Sequence, residues 1–92
     1  MLLSYSDYVR VKEATRLRGT VYDADTGEPL EKVHIYIQLG TEEVLSNNKG
    51  EFLLSTWEKF PITVTAALNN YTTETTTIKE AAPDLKITLR KK

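Results

Sequence analysis

Val33-His34-Ile35-Tyr36-Ile37-Gln38-Leu39 is the stretch on which the fold class turns. Val33, Ile35, Ile37 and Leu39 share one parity, and His34, Tyr36 and Gln38 share the other. That two-residue period is the mark of a strand with one buried face. The same alternation recurs on both sides of it. Leu17, Gly19 and Val21 alternate with Arg18, Thr20 and Tyr22; Ile62, Val64, Ala66 and Leu68 alternate with Thr63, Thr65 and Ala67; Leu85, Ile87 and Leu89 alternate with Lys86 and Thr88. Thirteen threonines, five tyrosines and many Val and Ile residues push the same way, because branched side chains lose χ1 freedom in a helix and pack well on a pleated surface.

Turn-forming clusters divide these runs: Asp25-Thr26-Gly27-Glu28-Pro29, Leu39-Gly40-Thr41, Asn47-Asn48-Lys49-Gly50, Phe60-Pro61, Asn69-Asn70 and Ala82-Pro83-Asp84. Seven strands fit between them, at about 16–22, 33–39, 43–46, 51–56, 62–68, 71–79 and 85–90, a spacing that signals an all-β, antiparallel sandwich of Greek-key type. The expected core is Leu17, Val21, Val33, Ile35, Ile37, Leu39, Phe52, Leu54, Ile62, Val64, Leu68, Ile87 and Leu89. Tyr71-Thr72-Thr73-Glu74-Thr75-Thr76-Thr77-Ile78 is polar on both faces, as an edge strand tolerates. Residues 1–15 read as an N-terminal arm or an extra edge strand, 16–90 as the sandwich and 91–92 as a basic tail.

With 92 residues the chain makes one domain, near the size at which a single core just suffices. It has no cysteine, so disulfides and thiolate-held metals are excluded and burial must carry the stability. A formal charge of −1 provides no electrostatic footprint for nucleic acid or anionic lipid. Met1-Leu2-Leu3-Ser4-Tyr5 has neither a basic n-region nor a long apolar core, so no signal peptide is read there. No apolar run approaches the length of a membrane span, so no direct membrane insertion is expected.

Leu17-Arg18-Gly19-Thr20-Val21, followed by Asp23-Ala24-Asp25-Thr26-Gly27-Glu28-Pro29-Leu30 and then Val33-His34-Ile35, resembles the opening of carboxypeptidase-regulatory-like domains. The resemblance continues in Asn48-Lys49-Gly50-Glu51-Phe52 and in the closing Ile87-Thr88-Leu89, over about residues 16–90. It implies a seven-stranded, transthyretin-like sandwich, of the kind appended to carboxypeptidases, adhesive proteins and TonB-dependent outer-membrane transporters. There the module folds, docks or spaces, and it is not the enzyme. The family's Gly-Tyr pair is here Asn70-Tyr71. Asn tolerates the left-handed conformation better than other non-glycine residues, so Asn70 is expected at positive φ.

Sites of chemistry are sparse. His34 is the only histidine and points away from the apolar parity of its strand, which reads as a surface or cross-strand histidine. Asp23-Ala24-Asp25-Thr26-Gly27 begins like a calcium loop, but Gly27, Glu28 and His34 fall where an EF-hand needs an oxygen ligand, a glycine and a glutamate. Asp23 and Asp25 are instead expected to organise the turn through hydrogen bonds to nearby N–H groups. Transthyretin-fold enzymes that hydrolyse a urate oxidation product need several histidines and a Tyr-Arg-Gly-Ser ending, where this chain has one histidine and ends Leu89-Arg90-Lys91-Lys92. Adhesin domains with Lys–Asn isopeptide bonds place the Asn on the last strand, and 85–90 contains none.

The remaining feature is the single tryptophan. If successive strands alternate in direction, the loops 40–42, 57–61 and 80–84 gather at one end, bringing Trp57 and Phe60 close to Glu42, Glu58, Glu80 and Asp84. Two roles are open for Trp57 and Phe60: a lid over the core, with Trp57 buried against Leu39 or Ile62, or an exposed platform for a sugar ring or a protein partner. The lid is the expected one. Candidate binding residues are Trp57, Phe60 and Glu58, with no cofactor, no metal and no catalytic residue. The reading is a non-catalytic structural or protein-interaction module of a larger cell-envelope protein, periplasmic or at the cell surface. The alternative is a carbohydrate-binding module using Trp57, and a small hydrolase ranks third.

Overall fold

The computed structural model describes residues 14–81 and 84–92. The expected arm or edge strand thus lies outside the described residues through position 13, as does the Ala82-Pro83 part of the last turn. Seven strands follow: β1 (Thr15–Asp23), β2 (His34–Gln38), β3 (Glu42–Leu45), β4 (Glu51–Thr56), β5 (Ile62–Ala67), β6 (Glu74–Ile78) and β7 (Leu85–Leu89). Among the described residues there is no helix, hence none long and apolar enough to cross a membrane.

The strands form two sheets, ordered β4-β1-β7 and β3-β2-β5-β6. All pairings are antiparallel except β1·β7, which is parallel. The exception follows from alternation: when each strand reverses its predecessor, the first and seventh run the same way, and making them neighbours leaves only the parallel ladder. Four of the six connections cross between sheets, a pattern consistent with the expected Greek key. β6 lies at an edge of the wider sheet, as its polar sequence requires.

The core forms where the two inner parities meet. Leu17, Val21, Phe52, Leu54, Ile87 and Leu89 come from the three-stranded sheet, and Ile35, Ile62, Val64, Ala66 and Ile78, with Val33 just before β2, come from the other side. Phe52 stands directly across from Gly19. A Cβ at position 19 would lie 2.7 Å from the Phe52 ring and 2.6 Å from the Leu85 carbonyl oxygen, so the absent side chain is what lets the ring and β7 close on β1. Ser46 is a polar member of this interior: its Oγ accepts the Val33 N–H (2.9 Å) and donates to the Leu30 carbonyl (2.7 Å), tying the end of β3 to the β1–β2 connection.

Several expectations are corrected. Leu39 is 66% exposed, not buried. The β2–β3 register shifts between Tyr36 and Gln38, β2 ends there, and Leu39 passes into a turn with Gly40 at φ 85°. Ile37 and Leu68 pack only at the margin of the core. β6 begins at Glu74 and not at Tyr71, and its inward-parity residues Glu74 and Thr76 stay exposed because the opposing sheet is one strand narrower. Ile78 alone anchors that strand in the core. The Arg90, Lys91 and Lys92 side chains are exposed, yet their backbone is not a free tail. Tyr71 and Lys91 form an antiparallel bridge, Thr72 donates to the Arg90 carbonyl and Lys92 to that of Asn70.

Candidate interaction site

Strand β4 places the tryptophan. Phe52, Leu54 and Thr56 share the inward parity, so Trp57 falls outward as β4 ends. The Thr56 hydroxyl is buried and donates to Glu42 Oε1 (2.6 Å), while Glu42 Oε2 accepts the Trp57 backbone N–H (2.8 Å). One carboxylate at the start of β3 thus grips two consecutive residues at the end of β4. Thr56 Oγ1 also accepts the Glu58 N–H (2.9 Å), and Gln38 at the end of β2 donates its amide to Glu58 Oε1 (2.8 Å). Three strand ends converge, and the backbone beneath Trp57 is held at each of its flanking positions.

Trp57 is 61% exposed, which overturns the lid. A lid would need Trp57 on the inward parity, and β4 puts it on the other. Nor can Leu39 cover it from inside, being exposed in its own turn. Of the aromatic pair, Phe60 packs partly against the core and does the covering, while Trp57 stands out. Trp57 and Glu58 line one open hollow together with Gln38, Thr41, Glu42 and Ser55, and Phe60 is not part of it. The sequence reading placed Glu42 at this end. It missed Glu42's two-oxygen grip and the Gln38–Glu58 pair, because those contacts depend on which strand ends meet.

The opposite end is built round Asp23. Its Oδ1 accepts the N–H groups of Asp25 (2.8 Å) and Thr26 (3.0 Å), as expected of the turn. Its Oδ2 accepts the Tyr71 hydroxyl (2.7 Å), a contact across 48 residues that the sequence did not signal. That hydroxyl first, and then the Thr26 and Asp25 amides, hold the Asp23 carboxyl below its ordinary range, and the same bond raises the Tyr71 hydroxyl. Both oxygens are thereby engaged by protein donors, which makes this a structural knot in the β1–β2 turn. His34 sits as a cross-strand histidine, its Nε2 2.5 Å from Glu43 Oε1 and its ring 4.9 Å from that of Tyr36.

The two-sheet order, the Asp23 turn and the Gly50–Glu51–Phe52 entry into β4 are accompanied by a family match over residues 17–92, to the CarboxypepD_reg-like domain. The chain belongs to this family. A CarboxypepD_reg-like domain is a regulatory-like unit, and the match takes in the Lys91–Lys92 backbone that bridges to Tyr71. No curated protein matches the chain. Solved structures that share its fold include two of unlike function. One is a chain in the crystal structure of a C-terminal interface mutant of a type II cohesin–X–dockerin complex from Acetivibrio cellulolyticus, with 17% identity, a TM-score of 0.62, and 82% of this chain and 56% of that chain covered. The other is a 9R-lipoxygenase from Cyanothece PCC8801, with 11% identity, a TM-score of 0.53, and 87% and 16% covered. The CarboxypepD_reg-like domain spans a little over half of the first chain and about a sixth of the second, and at these identities the likeness is one of fold.

Proposed function

We propose that this CarboxypepD_reg-like domain is a non-catalytic docking module of a larger cell-envelope protein, working in the periplasm or at the cell surface. It engages a protein partner, or another domain of its parent chain, through the Trp57 end. The observation that carries this reading is a tryptophan, 61% exposed, on a backbone already fixed by Glu42. Exposing an indole sacrifices burial that a small domain needs, and fixing its backbone in advance removes an ordering cost from association. Tryptophan is also among the residues that most often dominate interface energies. The family and the neighbouring fold within a cohesin–X–dockerin complex support a module that serves other proteins.

The exposed indole beside the Glu58 carboxylate and the Gln38 amide favours one second reading, a carbohydrate platform. The two are separated by placing a photo-activatable phenylalanine analogue at position 57 in the full-length parent protein, with a control at exposed Thr26 at the other end. A discrete protein adduct from position 57 alone supports docking. Glycan-array binding that disappears in Trp57→Ala supports the carbohydrate reading, and neither result would count against Trp57 as the working surface.

A further inference from the structure

We infer that the Trp57 end receives an arginine-bearing loop of a protein partner, a conclusion that rests on the docking reading above and gives that partner a chemistry. The described residues lining the hollow are Gln38, Thr41, Glu42, Ser55, Trp57 and Glu58, with two carboxylates and no cation among them. Lys59, next along the chain, is exposed but lies outside this lining. Glu42 spends both oxygens on neutral donors, the Thr56 hydroxyl and the Trp57 N–H, and among the described residues no cation pairs with it. Gln38 holds one oxygen of Glu58 and thereby orients the other.

An indole face carries a negative quadrupole and attracts cations laid over it, and a guanidinium does this best because it is flat, weakly hydrated and able to bond a carboxylate edge-on while stacked. A neutral sugar gains the stacking and hydroxyl hydrogen bonds to a carboxylate but no charge pairing. A lone small cation gains the charges and leaves the rest of the end uncovered. Leu39, exposed in the β2–β3 turn at the same end, adds a second large apolar side chain, which suits a loop of a macromolecule with an anchor and a flank.

Trp57 is the only tryptophan in the chain, so its emission reports directly on the site. The probes are acetylated, amidated glycine–serine peptides carrying arginine, its uncharged isostere citrulline, or glutamate, together with cellohexaose and chitohexaose. The arginine peptide should give a saturable emission change that the citrulline and glutamate peptides do not give. It should weaken as salt rises from about 0.01 M to about 1 M, over which the screening length falls from about 30 Å to about 3 Å. Glu58→Gln, which can still accept from Gln38, should weaken it by up to about fivefold. Trp57→Ala, followed by calorimetry, should weaken it by about thirtyfold or more. Equal binding of arginine and citrulline peptides, or saturation by a sugar but not by arginine, overturns the cationic partner while leaving Trp57 as a recognition surface. No response to any probe overturns the inference, while the docking reading is decided separately by the cross-link from position 57.

Discussion

Asn70 carries the chain out of β5 at φ 72°, in the left-handed region that side chains with a branched Cβ rarely enter. Asn70→Gly should therefore be neutral or slightly stabilising, and Asn70→Val should cost about 1 kcal/mol or more in urea unfolding. Equal stabilities for the two would show that the turn relaxes freely. One residue on, Tyr71 donates to Asp23, whose folded-state pKa is depressed chiefly by that bond. A depressed carboxylate contributes stability above its unfolded pKa of about 4, and the contribution is lost as pH falls through the folded value. Tyr71→Phe should accordingly melt below wild type near neutrality, with the gap narrowing as pH drops below about 4. A gap that stays constant down to acid pH would mean that the hydroxyl contributes through packing and not through the charge. Asn70 was legible because the family resemblance sets a glycine there and Asn accepts the same conformation; the Tyr71 knot was not, because nothing in either residue's neighbours names the other.

Within the elements, parity decides most of what is buried, and its exceptions come from pairing. On β1 the parity of Leu17 and Val21 includes Gly19, and the ring of Phe52 across the ladder uses the vacancy. Gly19→Ala should push against both Phe52 and the Leu85 carbonyl and cost about 1–3 kcal/mol, measured by denaturant unfolding. An Ala as stable as wild type would show that β7 can move aside. β6 depends on one apolar contact. Ile78→Ala should cost about 2–5 kcal/mol and strip hydrogen-exchange protection from 74–78 before the rest of the sheet. Retained protection there would assign the strand's hold to its ladder with β5. The end of β2 shows the limit of parity: Leu39 has the right spacing, but a register shift releases it before burial.

Across the molecule, the two ends have separate tasks. The Asp23 end is closed by side-chain and backbone bonds among the β1–β2 turn, Tyr71 and the last residues, and the Trp57 end leaves an aromatic open on a braced backbone. Truncating Trp57 should thus shift stability by less than about 0.5 kcal/mol in thermal melting, as for other exposed positions. Leu54→Ala, three residues before Trp57 and on the buried parity of β4, should cost about 2–5 kcal/mol. A large melting shift for Trp57→Ala would restore the lid and remove the surface on which docking rests.

The sequence by itself determined the seven strands, most of their inward residues, the polar edge and the Asp23 turn, because each follows from interactions within a few residues of the chain. With the family resemblance it also placed Asn70 in the left-handed region. Parity along 52–56 even contained the outward placement of Trp57, although the tendency of aromatics to bury outweighed it in the reading. Only the tertiary structure decided that β1 pairs in parallel with β7, that Glu42 grips Thr56 and Trp57, and that Tyr71 reaches Asp23. Those contacts join residues far apart in the chain, and they exist only once two sheets of unequal width have packed and set which strand ends face each other.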